Sequence, residues 1–199
     1  AIGAGLPIHT PGGHMIIDLG GGASEAAVLS MYGVVTSAAI RQGGVRMDEA
    51  IASYVRRKYN LMLGQPSAEE AKIRVGAAMP LEEPMRMEVQ GRDQVTGLPR
   101  SVEVTTDDIV EALEEPLTLI VNMVKGVLER TPPELSSDII DRGMTMIGGG
   151  ALLRHLDQLL TQETGVPVYV SEAPMACVAV GAGKSHPLLP YLRRTLPEI

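Results

Sequence analysis

The feature that most constrains this 199-residue chain is a run of three glycines, Gly20-Gly21-Gly22, set between two apolar stretches. Met15-Ile16-Ile17 and Asp18 come before the glycines, and Ala26-Ala27-Val28-Leu29 follows shortly after them. This pattern predicts a strand, a tight turn and a second strand. Because glycine carries no Cβ, such a turn can direct backbone N–H groups at a bound phosphate. On these residues alone, a plain glycine-rich hairpin turn explains the pattern equally well.

A second glycine triplet favours the ligand-binding interpretation. Gly148-Gly149-Gly150 follows a predicted strand at Met144–Ile147 and precedes a predicted helix at Ala151–Glu163. A strand, a glycine loop and a helix start form a geometry in which a nucleotide can approach the backbone. The glycine spacing matches neither the dinucleotide fingerprint nor the P-loop. The sequence therefore indicates a phosphate-binding or nucleotide-binding protein of another class.

Both glycine segments resemble motifs of one ATPase superfamily, which includes actin, sugar kinases and heat-shock chaperones. Asp18–Gly22 resembles its second phosphate motif, and Met146–Leu153 resembles its adenosine motif. Three further stretches make the chain similar to the MreB family of bacterial actins; they are Val45–Ile51, Leu113–Thr118 and Pro132–Ile139. The resemblance runs from Ala1 to about Lys184. It implies the second half of such a protein, since the family's first phosphate loop belongs to a preceding domain.

The resemblance implies an α/β fold with a ribonuclease-H-like mixed sheet covered by helices. Residues 1–44 and 105–199 would form actin-like subdomain IIA, and residues 45–104 would form a small inserted α+β subdomain IIB. The residue pattern agrees, because a three-strand meander up to Ile40 is followed by a stretch of different character. Within that stretch Ser67 and Glu70 predict a capping box for a second helix. The other predicted elements are strands at Met85–Val89 and Ser101–Val104, a long helix capped by Thr106, and a strand at Val166–Ser171.

The resemblance also implies a site for ATP and Mg²⁺. Asp18 and the first glycine triplet would contact the β- and γ-phosphates, with Asp18 reaching Mg²⁺ through water. Gly148, Gly149 and Gly150, followed by Ala151, would face the adenosine. Glu69 and Lys72 would approach the ribose and adenine; a solvated i, i+3 ion pair is the alternative for these two residues.

One position departs from the family motif. Ala23 stands where such proteins usually have a threonine that helps to place the attacking water. Alanine has no hydroxyl group and cannot orient water. The family's partner glutamate belongs to the preceding domain. The family is a weak ATPase, and we expect this chain alone to bind nucleotide without hydrolysing it.

The implied function is that of an ATP-binding cytoskeletal filament protein that maintains rod cell shape and guides cell-wall synthesis. Its partners would be further copies of itself in protofilaments, together with cell-shape and wall-synthesis proteins. Membrane contact would occur only through the preceding domain, at the inner face of the cell membrane. A net charge of −7 argues against a nucleic-acid partner. One cysteine and no apolar run of 18 residues fit a cytoplasmic protein. A kinase fragment of the same superfamily and a nucleotide-free interaction module are the alternatives.

Overall fold

A five-stranded mixed sheet forms the centre of the molecule. The computed structural model describes residues 1–192. The strands are β1 (His14–Leu19), β2 (Ser24–Ser30), β3 (Gly33–Ile40), β4 (Leu61–Met62), β5 (Arg86–Asp93), β6 (Pro99–Thr105), β7 (Met144–Ile147) and β8 (Val168–Val170). The helices are α1 (Gly44–Tyr59), α2 (Gln65–Val75), α3 (Thr106–Glu129), α4 (Pro133–Arg142), α5 (Leu156–Thr164), α6 (Cys177–Ser185) and α7 (Leu189–Leu192). The predicted α/β class with a mixed sheet is confirmed.

The strand order of the main sheet is β3-β2-β1-β7-β8. The first three strands form the predicted antiparallel meander, whereas β7 runs parallel to both β1 and β8. In the pairing of β1 with β7, Asp18 lies opposite Ile147. The first glycine triplet begins two residues after Asp18, and the second begins directly after Ile147. The sheet topology therefore brings the triplets to the same edge.

Helix α3 covers one face of this sheet with the apolar stripe that its sequence predicts. Ile109, Leu113, Leu117 and Ile120 are all buried, and they join one hydrophobic cluster with the inward-facing residues of β1 and β2. The N-cap is Thr105 rather than the predicted Thr106. Its hydroxyl accepts a hydrogen bond from the Asp108 N–H, and the Asp108 carboxylate accepts one from the Thr105 N–H. This reciprocal capping box fixes where the helix begins.

The segment between β3 and α3 contains a second sheet, of order β4-β5-β6, together with α1 and α2. Strands β5 and β6 are longer than predicted because the Asp93 carboxylate closes their turn, accepting hydrogen bonds from the N–H groups of Val95 and Thr96. The capping box predicted from Ser67 and Glu70 is wrong. Helix α2 begins earlier, at Gln65, with Gly64 as an N-cap that makes no side-chain bond.

A buried carboxylate joins α1 to α3. Asp108 is 2% exposed, and it accepts hydrogen bonds from Lys58 at 2.5 Å and from Tyr59 at 2.9 Å. Burial opposes ionisation of Asp108, but the bonds from Lys58, the Thr105 N–H and Tyr59 outweigh it and lower the pKa of the carboxyl. Asp108 is therefore ionised, and its hydrogen bonds hold α1 against α3.

Among the helices within residues 1–192, none combines the length and the apolar character needed to cross a membrane. The C-terminal residues 193–199, which the sequence assigned to subdomain IIA, lie outside the described part. The division into residues 1–44 with 105–199 and residues 45–104 stays a prediction, because one hydrophobic cluster includes both Val104 of the second sheet and Ile17 of the main sheet.

We predict that the second sheet opens independently of the main sheet. A three-stranded sheet with one two-residue strand has little packing of its own. In native-state hydrogen exchange, amides of β5 and β6 should therefore exchange at lower opening free energies than amides of β1 and β7. The amides of α3 provide the reference for global unfolding. Equal opening free energies for both sheets would contradict a separable unit.

Candidate functional site

The first glycine turn is held in place by the N-terminus of α1. The Gly20 N–H donates to the Ala23 carbonyl at 3.0 Å, which closes the turn. The N–H groups of Gly44 and Val45 then donate to the carbonyls of Gly20 and Gly21, at 3.0 and 2.9 Å. These bonds use the first free donors of the helix, which otherwise lack partners. The turn is thus rigid on its carbonyl side.

Gly43 is the residue that permits this approach. A Cβ added at Gly43 would lie 2.6 Å from the Gly20 carbonyl oxygen and 2.7 Å from that of Gly21. Any larger residue would push α1 away from the turn. Gly21 and Gly22 are exposed, and a Cβ added at either meets nothing within 4 Å. Within residues 1–192 their N–H groups donate to no protein acceptor, so they remain available to a ligand.

The second glycine loop packs directly on the end of β1. Gly148 has a φ of +86°, and a Cβ there would lie 2.4 Å from the Leu19 carbonyl oxygen and 2.7 Å from Asp18 Oδ1. Gly150 is similarly close to Leu19, with 2.8 Å from its added Cβ to the Leu19 Cβ. Positive φ and absence of space both require glycine at position 148. The two glycine segments therefore form one continuous backbone surface.

The helix predicted to begin at Ala151 begins later. Residues Gly149–Leu152 form a 3₁₀ turn, and α5 begins at Leu156 after His155, whose φ is +61°. Contacts with the end of α2 explain the interruption: the Arg154 carbonyl accepts from the Ala78 N–H at 2.7 Å, and the Arg154 guanidinium donates to the Ile73 and Gly76 carbonyls. On the side of the second glycine loop, the site is therefore bordered by a 3₁₀ turn and not by the N-terminus of α5.

A slot of about 290 Å³ lies between the two glycine segments and α2. Six predicted residues line it: Gly20, Gly21, Glu69, Lys72, Gly149 and Gly150. Six residues that the sequence analysis did not assign also line it: Gly44, Met47, Ile73, Leu152, Leu153 and Met175. A larger groove of about 600 Å³ lies between α1 and α3, but none of the predicted site residues borders it.

The other predicted residues lie beside the slot and not in its lining. Ala151 is buried, and Ala23 contributes its backbone carbonyl to the turn. Gly22 and Gly148 flank the lining residues within their loops. Asp18 borders a different cleft, on the opposite face of the sheet, together with Glu25. Burial raises the pKa of the Asp18 carboxyl. Within residues 1–192, no group of three metal-ligating side chains occurs.

Lys72 crosses the slot towards α1. Its Nζ lies 2.7 Å from Asp48 Oδ1 and donates a hydrogen bond to the Gly44 carbonyl at 3.1 Å. Asp48 is only 3% exposed, and burial raises the pKa of its carboxyl against the opposing effect of Lys72. Sequence reasoning missed Asp48, Gly43 and Gly44 as parts of the site. The Gly43-Gly44 pair at a helix start was the one available signal, whereas nothing local marks Asp48.

A family model described as MreB/Mbl protein matches residues 1–191. The cell shape-determining protein Mbl of Bacillus cereus is 51% identical over 183 residues, which cover 92% of this chain and 55% of the relative. The cell shape-determining protein MreB of Escherichia coli K12 is 52% identical over 185 residues, covering 93% of this chain and 53% of the relative. The chain thus spans about half the length of the curated relatives it matches.

Solved structures give the same result. MreB5 of Spiroplasma citri bound to AMPPNP superposes with a TM-score of 0.91 at 34% identity, over 98% of this chain and 58% of that one. The same protein bound to ADP gives a TM-score of 0.92. The MamK double helical filament, at 20% identity and a TM-score of 0.74, shows a shared fold alone. The predicted actin-like fold is confirmed.

We predict that Gly148→Ala destabilises the protein whereas Gly149→Ala does not. Alanine at 148 would have to adopt a positive φ and displace the Leu19 carbonyl, so its free energy of unfolding should fall by about 1–3 kcal/mol. A Cβ at Gly149 meets nothing within 4 Å, so that variant should stay within about 0.5 kcal/mol of the parent. Urea denaturation measures both. Equal stabilities would show that the two loops are not packed as described.

Proposed function

The chain belongs to the MreB/Mbl family, and we propose that its slot binds the nucleotide of an MreB-like actin homologue. Its role in the cell would be that of a cytoskeletal filament protein that maintains rod shape and guides cell-wall synthesis. The curated relatives are named as cell shape-determining proteins. Because the chain covers about half of them, the activity and partners of the whole protein belong to this proposal.

The observation that carries the proposal is the convergence of two glycine segments on one slot. The exposed amides of Gly21 and Gly22 offer two donors to an anion at one end. The MreB5 structures, described as bound to AMPPNP and to ADP, support a nucleotide as the occupant. We assign the phosphates to the Gly20–Gly22 turn, and the adenosine to the end formed by Gly149, Gly150 and α2.

Apolar side chains support this orientation of the nucleotide. Ile73, Leu152 and Met175 line the slot and are 63%, 58% and 73% exposed, respectively. Large apolar side chains that are this exposed around a concave site are typical of ligand pockets. A purine base between them would cover apolar surface that water now contacts. Glu69 and Lys72 would then lie beside the ribose and the base.

Magnesium would accompany the phosphates in this proposal. Mg²⁺ binds one or two carboxylates together with phosphate oxygens, and it keeps several waters. Asp18 suits such a role because it is a single partly buried carboxylate next to Gly148. Its place on the opposite face of the sheet from α1 means that it would act through water rather than by direct contact with the slot. Ala23 supplies no hydroxyl group, so we propose nucleotide binding and not hydrolysis for this chain alone.

We also propose that the whole protein self-associates into protofilaments in the cytoplasm. The structural relative MamK is described as a double helical filament. This chain would carry only part of each longitudinal contact. A stable specific interface needs roughly 1,000 Å² or more, so this chain alone should not form long filaments.

We predict that Gly21→Val abolishes Mg-ATP binding without unfolding the protein. A Cβ at Gly21 meets no protein atom within 4 Å, so valine fits the fold but projects into the space assigned to phosphate. Binding by the parent should be weak, and NMR titration with Mg-ATP can measure it. The matched control is Gly126→Val in α3, where an added Cβ also meets nothing within 4 Å.

The control should bind Mg-ATP like the parent. If Gly21→Val binds Mg-ATP as well as Gly126→Val does, the phosphate assignment is wrong. A parent chain that gives no response to Mg-ATP would instead favour the nucleotide-free interaction module.

A further inference from the structure

We propose that Asp48 is a positioning residue that turns Lys72 into a directed hydrogen-bond donor for an uncharged acceptor in the slot. Lys72 would then recognise a hydroxyl group or a ring nitrogen of the nucleoside, and not a phosphate. This inference rests on the proposed function, because it takes a nucleotide to be the occupant. The residue that it adds, Asp48, has no role in the assignments made above.

The ion pair of Asp48 with Lys72 is buried. The side chains of Asp48 and Lys72 are 4% and 15% exposed, and Nζ lies 2.7 Å from Oδ1. Taking two charges out of water is costly, and hydrophobic residues in their place are often as stable or more stable. Stability therefore gives little reason for a buried charge pair beside a cavity. A role in orienting the ammonium group explains its location.

Two acceptors on α1 fix the direction of the free donor of Lys72. An ammonium group has three N–H donors and no acceptor. The Gly44 carbonyl accepts one of them at 3.1 Å, and the Asp48 carboxylate occupies a second side of Nζ. Both acceptors belong to α1, so the direction of the ammonium is fixed relative to that helix. Since Lys72 lines the slot, its remaining donor is the one that a ligand can reach.

The charges around Lys72 favour an uncharged ligand group. The positive charge of Lys72 is balanced by Asp48, and Glu69, one turn away on α2, also lines the slot. This end of the slot therefore carries a net negative charge of its own. A phosphate group would be repelled there, whereas a hydroxyl group or a ring nitrogen carries no charge. At the other end of the slot, the backbone amides of Gly21 and Gly22 are uncharged and do not repel a phosphate group.

Gly44 connects the two ends of the slot. Gly44 holds Lys72 through its carbonyl and holds the glycine turn through its N–H, which donates to the Gly20 carbonyl. A Cβ at Gly44 would lie 3.3 Å from Lys72 Nζ and 3.7 Å from Gly21 Cα. The donor of Lys72 and the phosphate-facing turn are thus set at a fixed separation by one residue of α1. Asp48, one turn further along α1, completes this arrangement.

The test compares Asp48→Asn with Glu49→Gln in the 199-residue chain, by NMR titration with adenosine and, separately, with inorganic tripolyphosphate. Glu49 is the matched control, because it is the next residue of α1 but is exposed and pairs with Arg46 away from the slot. Asparagine keeps the shape of Asp48 and removes its charge. Lys72→Met removes the donor itself. Thermal unfolding confirms that each variant is folded.

In Asp48→Asn, the affinity for adenosine should fall roughly 3–10-fold, since one well-oriented hydrogen bond is weakened. The affinity for tripolyphosphate should instead rise, because without the Asp48 charge Lys72 and Glu69 leave this end of the slot with no net negative charge to repel it. Lys72→Met should lose adenosine affinity to a similar extent without any gain in tripolyphosphate affinity. Glu49→Gln should leave both affinities as in the parent. These opposite changes distinguish orientation of Lys72 from general damage to the slot.

A second readout does not depend on any ligand. The ammonium protons of Lys72 should be protected from solvent exchange in the parent and should lose this protection in Asp48→Asn. If they are unprotected in the parent, or if Asp48→Asn weakens both ligands equally or changes neither, the role of Asp48 is wrong. If the parent binds neither adenosine nor tripolyphosphate while Lys72 is protected, the proposed function fails, and the recognition role of Lys72 fails with it.

Discussion

The parallel pairing of β1 with β7 is the constraint on which the rest of this structure depends. It sets Asp18 opposite Ile147, so the glycine segments that follow these strands leave the sheet at the same edge. Parallel strands in such sheets place their loops together at their carboxyl ends, which is where ligands bind in α/β proteins. The close contact of Gly148 with the Leu19 carbonyl then requires a residue without a Cβ. The glycines of the second loop are thus needed for packing as well as for access.

Much of the fold follows from local sequence patterns. The three-strand meander, β7 and the buried stripe of α3 were predicted because each is a short apolar run or a regular helical repeat. Helix ends were predicted less well. The capping box lies at Thr105 and Asp108, and α2 begins with Gly64 instead of a box at Ser67. Several serine and threonine residues near a helix start offer competing caps, and tertiary contacts decide between them.

The candidate site likewise has parts that local sequence patterns predicted and parts that they did not. Its glycine turns were visible in the sequence because runs of three glycines are a strong local signal. The late start of α5 was not visible, since it depends on bonds between Arg154 and the end of α2. Gly43 and Asp48 were missed for a similar reason. Their contacts are with Gly20 and Lys72, which are distant in the sequence, and a single sequence carries no local mark of such contacts.

Helix α1 connects the first glycine turn, helix α2 and helix α3, which strand pairing does not join. Its N-terminus holds the glycine turn, Asp48 holds α2, and Lys58 near its C-terminal end reaches the buried Asp108 of α3 at 2.5 Å. In an α-helix each backbone N–H bonds the carbonyl four residues earlier, so the residues of α1 keep a regular spacing along one axis. A ligand that contacted both the glycine turn and Lys72 would therefore act on α1 at two places, both near the N-terminus of this helix. The binding free energy of such a ligand could not be divided between a phosphate end and a nucleoside end, because both ends share one helix as their support.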